Sequence, residues 1–212
     1  QALKLVGIKS LSFFAALLIT FSLGISLFFI NYLNFFLILL AILSYTIYYT
    51  LFLKKSSPFG TVLGGIPGAL PVLIGYSAIN PEISFHYIDV LILFLFMMIW
   101  QPPHFWSLSQ HFADDYKKAE FPIMPIIYGQ KYTNYLIAIY SLALLPISLY
   151  FWIVGIASSF YAFIAILMGV CFLWLVFVSF KNRNHYKNVF LFSILYMLII
   201  NLSLSLDIIF NA

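Results

Sequence analysis

The sequence predicts an all-α, multi-pass transmembrane helical bundle, and three observations support that prediction. Of the 212 residues, 64% are hydrophobic and 8% are charged, whereas soluble domains are nearer one quarter charged. The apolar residues fall into seven runs, each close to the roughly 20 residues that a helix needs to cross a bilayer core. All ten Lys and Arg residues lie on one side of the membrane that these runs define.

Each run is expected to be a helix, because backbone polar groups in hydrocarbon must be hydrogen-bonded within the protein. Alternating segments of about ten residues, which build membrane β-barrels, are not seen in the sequence. No second soluble domain is visible, so residues 1–212 are predicted to form one transmembrane domain. The predicted spans are Leu11–Ile30, Phe35–Leu53, Val62–Ile79, Ile88–Trp106, Tyr135–Val154, Phe160–Phe180 and Val189–Phe210.

The positive charges predict the orientation of the chain. They are Lys4, Lys9, Lys54, Lys55, Lys117, Lys118, Lys131, Lys181, Arg183 and Lys187. The alternate connections Asn31–Asn34, Asn80–Tyr87 and Gly155–Ser159 contain none. Because Lys and Arg concentrate in cytoplasmic loops, the N-terminus of this chain is predicted to be cytoplasmic. Ten cations in short loops form no continuous basic face, so nucleic-acid binding is not expected.

The third span contains an unusual Gly-Pro run. Gly64 and Gly68 form a small-xxx-small pair that lets a neighbouring backbone approach closely, while Pro67 and Pro71 remove helical N–H donors. This pattern fits a tightly packed helix interface. It also fits a bent helix that lines a cavity, because freed carbonyls at membrane depth need protein or water partners.

The fourth span ends in Trp100-Gln101-Pro102-Pro103-His104-Phe105-Trp106. Two consecutive prolines predict a break in the helix, flanked by Gln101 and His104. Polar residues at a broken helix are expected to face the protein interior, because exposing them to lipid is costly. His104 could instead be an interfacial histidine bonded to a backbone carbonyl.

A polar connection of about 25 residues, roughly 107–132, is too long to be a passive connector and is predicted to be a cytoplasmic active-site loop. It contains the adjacent carboxylates of Asp114 and Asp115, followed by Lys117 and Lys118. Paired carboxylates with open coordination positions suit Mg²⁺, which keeps waters and shares itself with substrate phosphates. A solvated charge cluster or a helix cap explains the same residues.

Lys54 and Lys55 follow the second span on the same predicted face as the carboxylates. They fit stop-transfer charges, and they also fit point charges for a diphosphate. A cationic pair, a carboxylate pair and two interrupted helices on one face together predict a pocket. That pocket would hold an anionic head through Mg²⁺ and a hydrophobic tail within the bundle.

Four blocks of this sequence resemble the protoheme IX farnesyltransferases (haem O synthases), a branch of the UbiA-type intramembrane prenyltransferases. The blocks occur in that family's order and spacing, and the resemblance covers essentially the whole chain. They are Tyr49-Thr50-Leu51-Phe52-Leu53-Lys54-Lys55-Ser56-Ser57-Pro58, the Gly64–Gly75 run, Trp100-Gln101-Pro102-Pro103-His104-Phe105, and Asp114-Asp115-Tyr116-Lys117-Lys118-Ala119-Glu120-Phe121-Pro122-Ile123-Met124-Pro125.

The resemblance implies a nine-helix fold in which farnesyl diphosphate, held by Mg²⁺, alkylates a vinyl group of haem b to give haem O. It implies metal binding and catalysis for Asp115 and Asp114, and catalysis for Lys54. It also implies the bacterial plasma membrane in preference to the mitochondrial inner membrane, with a haem A synthase or oxidase assembly factor as a partner. The implied substrate-binding residues are Lys55, Tyr49, Gln101, His104, Lys117 and Lys118.

The sequence departs from the family pattern in three respects. The first Asp-rich motif, Asn-x-x-x-Asp-x-x-x-Asp, does not occur, so two N-terminal helices and half of the metal site are expected to lie outside this sequence. Ala119 stands where the superfamily's second motif, Asp-x-x-x-Asp, would place an acid four residues after Asp115, and Asp114 matches less well. Tyr49 and Lys54 are five residues apart, whereas the superfamily motif is Tyr-x-x-x-Lys.

Three other functions are open on the sequence alone. UbiA-type relatives that prenylate quinone or chlorophyll precursors lack the Trp-Gln-Pro-Pro-His block, which favours haem as the acceptor. A secondary transporter would also have interrupted helices, although no repeat and no deeply placed acid is visible apart from Asp207. A haem-binding electron-transfer subunit would need two histidines within spans, whereas His86, His111 and His185 are predicted in loops or at span ends.

Overall fold

The structure is a computed structural model that describes residues 7–82, 87–118, 121–182 and 185–211, and within these ranges it contains helices and no strand. Seven of the described helices are long and apolar enough to cross a membrane, which confirms the predicted fold class. The predicted positions Lys4, His86 and Arg183, and the side chain of Lys55, lie outside the described part. The seven spans are α1 (Ile8–Ile30), α2 (Tyr32–Leu53), α3 (Gly60–Ile79), α4 (Tyr87–His111), α7 (Gly129–Ile153), α8 (Ser159–Ser179) and α9 (Tyr186–Asn211). Between α4 and α7 lie the short helices α5 (Ala113–Lys118) and α6 (Met124–Ile127).

Helix α4 is the centre of the bundle, because it packs against α3, α7 and α9. Its side chains Phe96 and Trp106 are each only 2% exposed. On the far side α8 packs between α7 and α9, and the ring of Phe172 stacks on that of Tyr196 with 5.4 Å between centroids. The close packing of α4 with three neighbours makes it the element that positions the others.

Helices α1 and α2 cover one flank of the bundle and expose most of their apolar side chains. Phe28 and Phe29, for example, are 79% and 83% exposed. Lipid tails are as apolar as these side chains, so such exposure is expected of a span that faces the bilayer. These two helices therefore pack far less deeply than α4.

Buried polar side chains join helices at the end of the bundle where the connections carry no Lys or Arg. Asn34 in α2 donates to the carbonyl of Ile74 at 2.7 Å and to the hydroxyl of Ser77 at 2.9 Å, and accepts from Ser26 at 2.8 Å. Asn34, Ser26 and Ser77 are almost wholly buried. This network fixes α1, α2 and α3 to one another at that end.

Two acids at that same end, Asp207 and Asp89, also make structural hydrogen bonds. Asp207 in α9 accepts from the backbone N–H of Ser158 at 2.6 Å and from its hydroxyl, and Ser158 is the N-cap of α8. Asp89 in α4 accepts from the hydroxyl of Tyr150 in α7 at 3.0 Å. A carboxylate at a helix N-terminus satisfies free N–H groups and the helix dipole.

The prolines interrupt the spans less than the sequence predicts. In α3 the helix is interrupted at Gly64, and Pro67 falls in the first turn that follows, where its missing N–H costs little. In α4 the helix runs through Pro102 and Pro103 without interruption, so the predicted break there is wrong. Both of these prolines are buried. Packing on three sides holds α4 helical despite the two lost N–H donors.

The connection between α4 and α7 is shorter than the predicted loop of residues 107–132. Helix α4 continues to His111 and α7 begins at Gly129, so the connection is 112–128. The extra turns are held by Gln110, whose amide donates to the carbonyl of Gln130 at 3.1 Å and to Asn134 at 3.0 Å. These bonds join the two helices directly across the ends of the connection.

The predicted orientation can be tested by labelling single cysteines in a Cys171→Ser background with a membrane-impermeant maleimide. Ser56→Cys and Asn182→Cys are expected to react only in inverted vesicles, because both positions lie at the lysine-bearing end. Glu82→Cys, exposed at the opposite end, should react only in intact cells. Reaction of Glu82→Cys and Asn182→Cys from the same side would contradict the orientation.

Candidate active site

A cavity of about 620 Å³ opens at the lysine-bearing end of the bundle. It lies between α2, α3, α4 and the 112–128 connection, and its volume is within the range of roughly 300–1,000 Å³ typical of small-molecule sites. The residues that line it are Ala41, Tyr45, Tyr49, Lys54, Ser57, Pro58, Gly60, Thr61, Gly64, Pro67, Gly68, Gln101, Phe105, Leu108, Ser109, Tyr116, Phe121, Pro122 and Ile123.

Helix α2 and the residue after it contribute two aromatic rings and one cation to this cavity. The rings of Tyr45 and Tyr49 stack with 5.7 Å between centroids. The Lys54 ammonium lies 5.7 Å from the centroid of Phe121, a residue of the opposite wall. A cation over a ring face is attracted by the ring quadrupole. Lys54 therefore lies close to a ring that the 112–128 connection contributes to the same cavity.

Glycines in α3 make room for side chains of the neighbouring helices. A Cβ on Gly64 would lie 2.6 Å from the Tyr49 ring carbon Cε2, and a Cβ on Gly68 would overlap the Gln101 amide oxygen. Both separations are too short for a real side chain. The glycine pair does allow close approach, although the neighbours that approach are side chains and not the predicted backbone. The interrupted helix α3 lines a cavity, in agreement with the second of the two predicted interpretations.

Residues from the Trp-Gln-Pro-Pro-His block divide between two faces of α4. Gln101 and Phe105 line the cavity, and the Gln101 amide donates to the carbonyl of Gly65 at 2.9 Å. Trp100 donates through its indole N–H to the carbonyl of Ser193 in α9 at 2.8 Å. Gln101 and Phe105 are four residues apart, as are Trp100 and His104, so each of these two pairs lies on one face of the helix.

His104 belongs to the face that contacts α9. Its ring lies between Trp100 and Phe190, with centroids 4.5 Å and 4.6 Å away, and its Nδ1 is 2.7 Å from the Ser193 hydroxyl. That hydroxyl also donates to the carbonyl of Phe190 at 2.6 Å. Because a hydroxyl has one proton, His104 Nδ1–H is the donor to Ser193, and the Nε2 lone pair of the neutral ring is left for another partner. His104 is not among the residues that line the cavity.

The predicted metal residues lie beside the cavity mouth. Asp114 and Asp115 are in α5, whose Tyr116 lines the cavity, whereas the carboxylates themselves do not. Asp115 and Lys118 form an ion pair at 4.0 Å with side chains 72% and 81% exposed. Lys117 is also exposed and away from the lining. The structure therefore places Lys54, Tyr49 and Gln101 together in the cavity and the α5 charges at its edge.

The donor set fits Mg²⁺ only when a substrate completes the coordination. Among the described residues, no three His, Cys, Asp or Glu side chains come together. Two carboxylates with open positions are nevertheless the usual protein contribution where Mg²⁺ is shared with phosphate oxygens and waters. Asp114 and Asp115 therefore suit a metal that arrives with a diphosphate.

A buried polar network at the base of the 112–128 connection was not predicted from the sequence. Tyr186 in α9 donates to Asn134 at 2.5 Å and accepts from Gln130 at 3.2 Å, and Gln110 in α4 donates to Asn134. Tyr186, Asn134 and Gln110 are all buried. Sequence gives no signal for these contacts, since the partners are 20 to 56 residues apart.

Comparison with known proteins assigns the chain to a family. Residues 4–202 match the UbiA prenyltransferase family. The chain is 43% identical over 202 residues to the protoheme IX farnesyltransferase of Geotalea uraniireducens (strain Rf4), covering 93% of this chain and 75% of that protein. It is 39% identical over 188 residues to the protoheme IX farnesyltransferase of Aquifex aeolicus (strain VF5), covering 88% of this chain and 63% of that protein.

A solved structure supports the same fold. It comes from work titled "Structural and mechanistic insights into the biosynthesis of Digeranylgeranylglyceryl phosphate synthase in membranes", and it superposes with a TM-score of 0.79 at 22% identity. The match covers 95% of this chain and 70% of that one. The structural likeness supports the fold, and the sequence matches show that the chain belongs to the UbiA prenyltransferase family, among the protoheme IX farnesyltransferases.

Proposed function

We propose that the protein transfers the farnesyl group of farnesyl diphosphate to a vinyl group of haem b, giving haem O. The observation that supports this most directly is the cavity in which Lys54 and Gln101 lie among the rings of Tyr45, Tyr49 and Phe105. A polar and cationic mouth with an apolar, aromatic wall suits a substrate that has a charged head and a hydrocarbon tail.

The diphosphate is proposed to bind at the mouth of the cavity, where Lys54 and the α5 carboxylates lie on adjacent elements. In the reaction the bond between the farnesyl C1 carbon and the diphosphate oxygen breaks, and both electrons stay with the diphosphate. Lys54 stabilises that developing charge through its ammonium group. Asp114 and Asp115 would hold Mg²⁺, which supplies further charge neutralisation to the leaving diphosphate when bound.

The farnesyl group is proposed to lie along the aromatic wall. Its allylic carbon gains positive charge as the diphosphate leaves, and ring faces attract positive charge. The Tyr45–Tyr49 stack presents such faces directly beside Lys54. Exclusion of water by the surrounding apolar side chains would protect the cation until the π electrons of the haem vinyl group form the new carbon–carbon bond. That bond leaves the positive charge on the vinyl carbon beside the porphyrin ring, where addition of a water molecule and loss of a proton give the neutral, hydroxyl-bearing product.

His104 is proposed to contact haem through Nε2, the ring nitrogen that its bond with Ser193 leaves as an acceptor. Imidazole nitrogen is a common protein ligand of haem iron. Because His104 does not line the cavity, this contact would place haem between α4 and α9, one helix face away from the farnesyl group. The haem edge would then reach the cavity past Phe105, which packs edge-on against His104 with 5.1 Å between centroids.

The proposed setting is the bacterial plasma membrane, with the cavity open to the cytoplasm and a haem A synthase or oxidase assembly factor as the partner that receives the product. Support for the orientation comes from the lysine distribution. Mg²⁺ is the proposed metal because it is the hard cation that most often accompanies diphosphates in proteins. Lys117, Lys118 and Lys55 are proposed as auxiliary cations for the diphosphate.

The direct test is conversion of haem b by the purified full-length protein supplied with farnesyl diphosphate and Mg²⁺. Chromatography and mass spectrometry should detect a haem carrying a farnesyl group, formed only when both substrates are present. Geranylgeranyl diphosphate and a quinone precursor serve as competing donor and acceptor. Prenylation of the quinone precursor but not of haem would refute the proposal.

Asp115→Asn is expected to lower kcat by about 100-fold or more, because the amide keeps the size of the side chain but loses the charge that Mg²⁺ requires. The apparent Mg²⁺ requirement should rise in the same variant. Glu82→Gln removes one carboxylate charge from the opposite end of the bundle and is the matched control, with activity expected to be unchanged. Near-normal turnover and Mg²⁺ dependence in a folded Asp115→Asn protein would remove this residue from the site.

Lys54→Ala is expected to weaken diphosphate binding by roughly 10- to 100-fold, the usual loss for a hydrogen bond to a charged group. Calorimetry with pyrophosphate and Mg²⁺ measures the effect without turnover. Lys181→Ala, an exposed lysine beyond the end of α8, provides the control and should bind normally. Equal affinity in the two variants would show that Lys54 acts only as a topology signal.

A further inference from the structure

The second half of α2 is not α-helical. Residues Ser44–Leu53 form a π-helix, in which hydrogen bonds join residues five apart. The backbone N–H of Lys54 donates to the carbonyl of Tyr49 in this pattern. The side chain of Thr50 repeats the same offset, since its hydroxyl donates to the carbonyl of Tyr45 at 2.8 Å. Extended π-helix is rare, and its occurrence here borders the cavity.

The π-helical turn changes which side chains share a face. In an α-helix, residues five apart are rotated by about 140° relative to each other, so Tyr49 and Lys54 would point in different directions. A π-helical turn holds about one residue more and brings residues five apart nearly into line. Tyr49 and Lys54 do both line the cavity. In the π-helical turn, two residues five apart therefore lie on the same face, as two residues four apart do in an α-helix.

Helix α3 is shaped to accept this wider turn. A Cβ on Gly60 would lie 3.1 Å from the Leu53 carbonyl oxygen, and one on Gly64 would overlap the Tyr49 ring. Both glycines therefore face residues of the π-helical segment, Leu53 and Tyr49. Because Gly60 and Gly64 have no side chains, α3 packs closely against the π-helical turn.

We propose that the π-helical turn from Tyr49 to Lys54 is a positioning element of the active site, which directs the phenol and the ammonium to the same diphosphate. This inference rests on the proposed function for the identity of the anion. The turn acts through Lys54, so weakening the turn while Tyr49 and Lys54 remain five residues apart should change pyrophosphate affinity and KM for farnesyl diphosphate before it changes the folded structure.

Deletion of Leu51 tests this role. Leu51 faces lipid, 65% exposed, and its removal leaves Tyr49 and Lys54 four apart in a turn that can close as an α-helix. Pyrophosphate affinity and kcat/KM are expected to stay within about fivefold of the unmodified protein, because the facing is preserved. Deletion of Leu40, a lipid-facing leucine in the α-helical half of α2 and 49% exposed, has no wide turn to absorb it. The Leu40 deletion should lower pyrophosphate affinity and kcat/KM by about 100-fold, because it rotates one half of α2 relative to the other and so misplaces Tyr49 and Lys54.

A pair of threonine variants tests the same idea without a deletion. Thr50→Val removes the hydroxyl that bonds five residues back, whereas Thr46→Val removes one that bonds the carbonyl of Ile42 four residues back at 2.5 Å. Both threonines are exposed and in the same helix. Thr50→Val is expected to weaken pyrophosphate binding about fivefold with an unchanged melting temperature, and Thr46→Val to leave it unchanged. In the Leu51 deletion, Thr50→Val should have no further effect.

The outcomes separate this inference from the proposed function. The positioning role is wrong if both deletion variants have normal melting temperatures and the Leu51 deletion lowers pyrophosphate affinity as much as the Leu40 deletion does. If the Leu51 deletion does not fold, equal pyrophosphate affinities of Thr50→Val and Thr46→Val overturn it. Absence of haem farnesylation by the unmodified full-length protein would instead refute the proposed function, since pyrophosphate binding is measured independently of turnover.

Discussion

The close approach of α3 to its neighbours is the constraint on which the rest of the site depends. Between membrane helices there is little hydrophobic driving force, so association relies on close packing and hydrogen bonds. Gly64 and Gly68 allow that packing against Tyr49 and Gln101, and the 2.9 Å bond from Gln101 to the carbonyl of Gly65 fixes it. A larger residue at either glycine would separate the walls of the cavity. The cavity is therefore a consequence of how α2, α3 and α4 pack.

Helix α4 combines two tasks in seven residues because its faces are distinct. Trp100 and His104 fix it to α9 through Ser193, while Gln101 and Phe105 line the cavity. Any movement of α4 relative to α9 would therefore move the wall of the cavity as well. This coupling explains why residues with a packing role occur next to residues with a binding role in one short block.

Much of this architecture follows from the sequence, and the remainder depends on contacts that a single sequence does not encode. Hydropathy and charge give the number of spans, and the grouping of Lys54 with Gln101 follows from their common end of the bundle. The continuity of α4 through Pro102 and Pro103 could not be predicted, because it depends on packing against three neighbours. Likewise, the five-residue spacing of Tyr49 and Lys54 departs from the Tyr-x-x-x-Lys motif. The structure nevertheless has both residues lining the cavity, because a π-helical turn lies between them.

The two ends of the bundle use their acidic residues in different ways. Asp207 and Asp89 accept short hydrogen bonds from Ser158 and Tyr150, so their charge is committed to holding helices together. Among the described residues, Asp115 forms an exposed ion pair with Lys118, and such pairs contribute little because solvent screens them. A carboxylate must give up its present partner to bind a metal, and breaking a weak ion pair costs little free energy. Asp207 and Asp89 therefore hold helices together, whereas the carboxylate of Asp115 is exposed and weakly paired.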